Sequence, residues 1–212
     1  MTPPAATATS SLSREVMLGG DKTGSSFYVC GGSDPRDGPS STCERFDFDQ
    51  WKWIDVPERM PDGKTQAAAV AYHQRFLFVI GGEGPTNSSF RYDTVTQSWS
   101  ILPPMTHRRD APAAAVYHSR IIVCGGREWG FPTHTCESYS IPKGVWRPFC
   151  SMRAVRADFH MALWREALNA IGGWSGHNQK HSIERFDFQD TAWSDAEVQL
   201  PHAKDDFALV VF

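Results

Sequence analysis

The chain has 212 residues, enough for one or two domains, and its formal net charge of −3 is too small to predict binding to nucleic acid or a membrane. No run of 18 apolar residues occurs, so no membrane-spanning segment is expected. Five cysteines without a CxxC pair disfavour a secreted disulfide framework and favour a reducing compartment. We therefore predict a cytoplasmic protein.

The first 25 residues differ in composition from the rest. "MTPPAATATSSLS" carries no charged side chain and no signal-peptide apolar core, so residues 1–25 are predicted to be a disordered tail. A cleaved organelle-targeting segment is the alternative, which the scarcity of arginine before Arg14 disfavours.

From residue 26 the sequence repeats, and residues 26–212 are predicted to form one domain. Four apolar runs end in paired glycines, and the first glycines of the pairs lie 44 to 50 residues apart, a period typical of propeller blades. An aromatic residue follows each pair, and a tryptophan follows that aromatic by seven residues every time. The repeated positions are Gly31, Gly32, Phe46, Trp53; Gly81, Gly82, Tyr92, Trp99; Gly125, Gly126, Tyr139, Trp146; Gly172, Gly173, Phe186 and Trp193.

Each unit predicts four short strands, because each apolar run is bounded by turn residues. We name them strand a (alanine-rich), b (ending in Gly-Gly), c (with the aromatic) and d (with the tryptophan). A single such sheet cannot bury both faces, whereas radial stacking buries the aromatic faces against neighbouring sheets. The predicted fold is an all-β propeller with blade units at about 26–56, 64–102, 109–149 and 156–196.

The combined motif resembles the kelch repeat: Gly-Gly, an acid before the aromatic, the tryptophan, then a Pro-Met turn and a basic residue. The resemblance covers residues 27–212, with Phe90 and Ser140 departing from the pattern. It implies a non-catalytic protein-interaction module, such as a ubiquitin-ligase substrate adaptor or a cytoskeletal scaffold. Some kelch-like propellers are enzymes, so an epimerase-like propeller acting on an anionic sugar is the alternative.

The C-terminal segment 204–212 aligns on strand a, whereas the first unit begins at strand b. We therefore predict that 204–212 completes the first blade and closes a four-bladed monomeric ring, which removes two open sheet edges. The alternatives are a piece of a longer six-bladed ring and a homodimer formed edge to edge.

The d–a and b–c loops are predicted to share one rim. The d–a segments 57–64, 102–109, 148–156 and 200–204 together hold seven basic and two acidic residues. We expect this rim to bind a protein or an acidic peptide, because arginine clamps carboxylates bidentately. Four candidates occupy the repeat's own basic position, which in the family is largely structural: Lys64, Arg109, Arg156 and Lys204. Six better candidates lie outside the repeated pattern: Arg108, Arg153, Arg127, Trp129, Phe131 and Trp174.

No catalytic motif, cofactor or metal site is predicted. His134, His177 and His181 fall on equivalent loops, but no carboxylate lies near them in the sequence to bind a metal or to orient their rings. Two cysteine pairs recur on adjacent strands b and c: Cys30 with Cys43 and Cys124 with Cys136. A cross-strand redox pair is conceivable, but buried reduced thiols are favoured.

Overall fold

The computed structural model describes residues 16–18, 26–34, 38–84, 86–207 and 209. Its regular structure is antiparallel strand throughout, which confirms the predicted all-β class. Four sheets of four strands each correspond to the predicted blades. The described part of the chain contains no helix able to cross a membrane.

The strands follow the predicted order a–b–c–d in every sheet. Blade 1 and its loop contain β1 Val16–Leu18, β2 Ser26–Cys30, β3 Ser33–Asp34, β4 Gly38–Pro39, β5 Cys43–Asp47 and β6 Lys52–Asp55. Blade 2 contains β7 Ala68–Tyr72, β8 Phe76–Ile80, β9 Ser89–Asp93 and β10 Ser98–Ile101. Blade 3 and its loop contain β11 Ala113–Tyr117, β12 Arg120–Cys124, β13 Arg127–Glu128, β14 Phe131–Pro132, β15 Cys136–Ser140 and β16 Val145–Phe149. Blade 4 contains β17 His160–Trp164, β18 Ala167–Ile171, β19 Ile183–Asp187 and β20 Ala192–Asp195.

The sheets meet side by side through their a strands, as blades around a propeller axis do. Strand β7 contacts both β1 and β11, and β11 also contacts β17. Within the described ranges, no comparable contact joins β17 to β1. The four blades therefore form an open arc rather than the predicted closed ring.

The first blade accounts for this correction. We predicted that residues 204–212 supply its strand a, but β1 already pairs with β2 at that position, with Val16 opposite Cys30. The C-terminal segment instead packs beside blade 4, where the amide of Asp206 donates to the carbonyl of Asp158 over 3.0 Å. Residues 208 and 210–212 of the predicted closing strand lie outside the described residues, as does most of the predicted tail 1–25.

The repeated tryptophans of blades 2, 3 and 4 each join their blade to the loop before it. The indole Nε1 of Trp99 donates to the carbonyl of Glu58 over 3.1 Å, and Trp146 donates to Pro103 over 3.0 Å. Trp193 makes the equivalent bond to Cys150 over 2.8 Å. Because each ring is also packed against the aromatic of strand c, the tryptophan both fills the space between blades and satisfies its own N–H.

The glycine pairs are contacts between consecutive blades. The amide of Gly82 donates to the carbonyl of Arg109 over 2.8 Å, and Gly126 donates to Arg156 over the same distance. A Cβ on Gly81 would lie 2.4 Å from the carbonyl oxygen of Arg109, and Gly81 has a φ of +68°. Glycine is therefore required because a neighbouring backbone occupies the space of a side chain.

The four paired cysteines are disulfide-bonded. Cys30 is joined to Cys43 and Cys124 to Cys136, each pair with its Cα atoms 4.1 Å apart. The members of each pair stand directly opposite each other on strands b and c, which brings both sulfurs to the same side of the sheet. Our prediction of reduced thiols is wrong at these positions, whereas Cys150 is free and exposed.

Thiol counting checks this pairing. We expect the denatured, unreduced protein to show one reactive thiol, that of Cys150, and five after full reduction. The Cys150→Ser variant is the control and should show no thiol before reduction. Five reactive thiols in protein purified without reductant would contradict both disulfides.

Candidate partner-binding rim

One edge of the blades carries both loop sets that the sequence singled out. We call this edge the rim and define it by its b–c and d–a loops. The b–c loops are 31–42, 81–88, 125–135 and 172–182, and the d–a loops are 56–67, 102–112, 150–159 and 196–207. Loops held by a rigid scaffold are common sites of recognition.

The repeat's basic position is structural in blades 3 and 4. Arg109 is fully buried, and its Nη1 donates to the carbonyls of Gly125 and Thr135 over 2.9 and 2.8 Å. Its Nη2 lies 3.1 Å from a carboxylate oxygen of the equally buried Glu137. Burial lowers the pKa of the Arg109 guanidinium, and the charge of Glu137 opposes that shift. The arginine thus ties its own d–a loop to the following b–c loop.

Arg156 repeats this arrangement one blade later. Its Nη1 donates to the carbonyls of Gly172 and Ser182 over 2.6 and 3.0 Å, and its Nη2 pairs with Glu184 at 3.0 Å. Both charged side chains are fully buried. The same carboxylate accepts the backbone amides of Arg153 and Ala154.

Lys64 occupies the position in blade 2, where the acid is replaced by Phe90. Its Nζ donates to Ser88 Oγ over 2.7 Å and lies 5.5 Å from the centre of the Phe90 ring. Burial lowers the pKa of Lys64 to about 8, while the charge of Asp62 raises it. The substitution of Phe90 for an acid therefore goes with a lysine that contacts a hydroxyl and an aromatic ring.

These positions correct one part of our binding prediction. Lys64, Arg109 and Arg156 have no more than 1% of their surface exposed, so their side chains do not reach a partner. Only Lys204 of this group is exposed. The acids Glu137 and Glu184 were missed as partners, although an acid two residues before the strand c aromatic is visible in both units.

A hairpin on blade 3 and the d–a loop beside it carry three of the predicted residues. Strands β13 and β14 are joined by Trp129-Gly130, both at positive φ, as a two-residue type I′ turn requires. Trp129 is 74% exposed and Phe131 is 77% exposed. The guanidinium carbon of Arg108 lies 4.5 Å from the centre of the Trp129 ring. We call Arg108, Trp129 and Phe131 the rim hairpin cluster.

A second predicted pair lies beside the next blade. Arg127 stands 5.3 Å from the ring centre of Trp174, and it pairs with Asp158 and, at 3.5 Å, with Asp110. Burial raises the pKa of Asp110, and the charge of Arg127 opposes that shift. The cation of Arg127 is therefore neutralised by two carboxylates. The remaining predicted residue, Arg153, pairs with Asp195 at 2.9 Å on the surface.

A chain of backbone hydrogen bonds links successive d–a loops. Ala111 donates to the carbonyl of Gln66 over 3.1 Å, Asp158 donates to Ala111 over 3.2 Å, and Asp206 donates to Asp158 over 3.0 Å. All four residues have a φ near +50°, which is uncommon outside glycine. Sequence reasoning missed this feature because none of the four is glycine or asparagine, the residues that usually signal positive φ.

Known proteins share this architecture. The chain is 34% identical over 102 residues to an F-box/kelch-repeat protein of Arabidopsis thaliana, covering 48% of this chain and 25% of that protein. It is 26% identical over 218 residues to Kelch-like protein 7 of Rattus norvegicus, covering 77% of this chain and 36% of that protein. This chain therefore spans about a quarter to a third of the length of these relatives.

The solved structure of YjhT superposes with a TM-score of 0.74 at 15% identity, over 90% of this chain and 67% of that one, which shows a shared fold. The sequence model described as the Kelch motif matches residues 23–60, 66–106 and 108–153. These matches cover more than half of the chain and coincide with the first three blades. The chain belongs to the kelch-repeat family and is a kelch-type β-propeller.

Proposed function

We propose that this chain is a non-catalytic interaction module that binds a protein or peptide on its rim. The observation that carries the proposal is the rim hairpin cluster, in which Trp129 stands in solvent beside Arg108 and Phe131 is exposed on the same hairpin. Exposed tryptophan and arginine are typical of the residues that dominate binding energy at protein interfaces. The type I′ turn holds the two rings on a short, defined support, so little ordering is needed on binding.

An acidic segment of the partner fits this surface best. Within the described ranges, the guanidinium of Arg108 has no carboxylate partner, whereas Arg127 and Arg153 are already paired. Stacking on Trp129 leaves the edge of the guanidinium open to a carboxylate. We therefore propose a partner with an acidic side chain next to an apolar one.

A pulldown with matched variants tests this proposal. The double variant Trp129→Ala/Phe131→Ala is expected to lose the proteins that the wild type retains, because about 2 kcal/mol or more is typical of each such contact. The control is Trp164→Ala, which removes an exposed tryptophan from the end of strand β17 next to the a–b turn of blade 4, on the opposite edge of the sheet. Equal recovery of the same proteins by the double variant would contradict the site.

The proposed acidic partner has a test of its own. The variant Arg108→Glu is expected to weaken binding of a captured partner at least tenfold, because it sets like charges against each other. Binding by the wild type should also weaken as the salt concentration rises. The variant Arg153→Glu, which changes an arginine that is already paired, is the control. An affinity insensitive to Arg108→Glu and to salt would rule out acidic recognition.

The cellular role follows from this proposal. A protein-binding propeller is suited to the role of a ubiquitin-ligase substrate adaptor or a cytoskeletal scaffold. One relative is named an F-box/kelch-repeat protein. We propose a cytoplasmic location on the strength of the kelch relatives alone, because the two disulfides remove the cysteine argument for it, and fractionation of tagged protein tests it. An enzyme acting on an anionic sugar receives less support, because most basic residues of the rim are buried or paired with carboxylates.

A further inference from the structure

Two faces of the arc lack a neighbouring blade in the part of the chain that the structure describes. We call them the leading face, on blade 1 away from blade 2, and the trailing face, on blade 4 away from blade 3. The leading face carries a cluster of aromatic rings with centroids 5.0 to 6.0 Å apart: Phe27, Phe46, Phe48, Trp51 and Trp53. Trp53 is 52% exposed, whereas the equivalent Trp193 of blade 4 is 7% exposed. Such a patch marks an interaction surface.

Trp53 lacks the bond that the other three repeated tryptophans make. Each of those indoles donates to the backbone carbonyl of the residue that lies two positions before a buried methionine. Trp99, for example, donates to the carbonyl of Glu58, and the buried methionine is Met60. Within the described ranges, no acceptor faces the Nε1 atom of Trp53. The indole N–H of Trp53 therefore lacks the acceptor that the other repeated tryptophans have, and this N–H lies on the leading face.

The trailing face holds the matching acceptor. The amide of Leu200 donates to His181 over 2.8 Å, as that of Met60 does to Ser41, so Leu200 stands at the methionine position of the repeat. The carbonyl two residues earlier belongs to Val198, whose residue is 72% exposed. Val198 borders an open cavity of about 790 Å³, lined on its apolar side by Ile171, Ile183 and Ala196.

Charged residues complement each other in the same way. Glu44 occupies the position of the buried Glu137 and Glu184, yet no basic side chain of the described residues pairs with it. Lys204 occupies the position of Arg109 and Arg156 and is exposed, with no acidic partner in the described ranges. The leading face thus lacks a cation, and the trailing face lacks an anion.

We propose that the trailing face of one copy of this chain docks on the leading face of a second copy. The Trp53 indole of one copy then donates to the Val198 carbonyl of the other, and Glu44 pairs with Lys204. The contact is heterologous, because it joins two different surfaces of identical chains. Asn169 stands where blade 2 has Phe78, so this contact is more polar than those within the chain and dissociates on dilution.

Sedimentation velocity over a range of concentrations tests the contact. We expect the 212-residue protein to form complexes of two or more chains as its concentration rises. The Trp53→Phe variant keeps an aromatic ring but removes the N–H, and should weaken association about threefold to tenfold. The control Val95→Ala removes an exposed apolar side chain from the c–d turn of blade 2 and should leave association unchanged. A wild type that stays monomeric at every concentration would overturn the proposal.

Exchanging the two charges distinguishes this contact from nonspecific association. Each single variant, Glu44→Lys or Lys204→Glu, should weaken association roughly tenfold, because like charges then face each other. The double variant Glu44→Lys/Lys204→Glu should restore it, and circular dichroism checks that all three fold. Association that all these variants leave unchanged, or that the double variant does not recover, would also overturn the proposal.

Discussion

Replacing Arg156 with alanine is expected to destabilise the protein by about 3–5 kcal/mol, because the change leaves Glu184 as a buried charge without its cation. The variant also loses the donors to the carbonyls of Gly172 and Ser182. Urea unfolding followed by tryptophan fluorescence measures the loss.

Arg153 is the matched control, three residues away on the same loop. Its ion pair with Asp195 is exposed at both ends, so Arg153→Ala should change stability by no more than about 1 kcal/mol. This pair of variants separates the structural cation of the repeat from a surface cation. Equal losses for the two variants would show that the buried ion pair does not hold the loops together.

Replacing Gly81 with alanine is the other change expected to cost about 3 kcal/mol or more. The new methyl group would lie 2.4 Å from the carbonyl oxygen of Arg109, so the contact between blades 2 and 3 must open. The strained φ of +68° adds about 1–2 kcal/mol. Thermal unfolding should show a lower midpoint than for any surface variant.

The Gly32→Ala variant is the control for Gly81→Ala, because it introduces backbone strain without a steric clash. Gly32 has a φ of +93°, but a Cβ there meets nothing within 4 Å. Gly32→Ala should therefore cost only the backbone strain, about 1–2 kcal/mol. If Gly81→Ala were no worse than Gly32→Ala, the glycine pair would serve the turn conformation rather than the contact between blades.

The sequence predicted most of the fold because its repeat is strict. Seven residues separate the strand c aromatic from the tryptophan in every blade, which determines the register of strands c and d. The strand a of blade 1 was missed because Val16–Leu18 is a three-residue strand that lacks the alanine-rich pattern of the other a strands. The prediction of ring closure assumed that blade 1 had no strand a of its own, so it was wrong for the same reason.

The site was predicted less well, because sequence does not report burial. The basic residues of the d–a loops look alike in the sequence, but Arg109 and Arg156 point into the protein while Arg108 stacks on a ring at the surface. Their positions in the repeat distinguish them: three of the four repeated cations are buried and Lys204 is exposed, whereas Arg108 and Trp129 lie outside the pattern. Cysteine pairing was misjudged because five cysteines were taken as evidence of a reducing compartment.

The central claim is that the rim hairpin cluster recognises a partner, and peptide selection tests it most directly. A phage-displayed library of natural peptide segments should yield binders with acidic residues next to apolar ones. Their affinity, measured by fluorescence polarisation, should fall at least tenfold for Trp129→Ala/Phe131→Ala and stay unchanged for Trp164→Ala. Selected peptides that bind the double variant as tightly as the wild type would contradict the account.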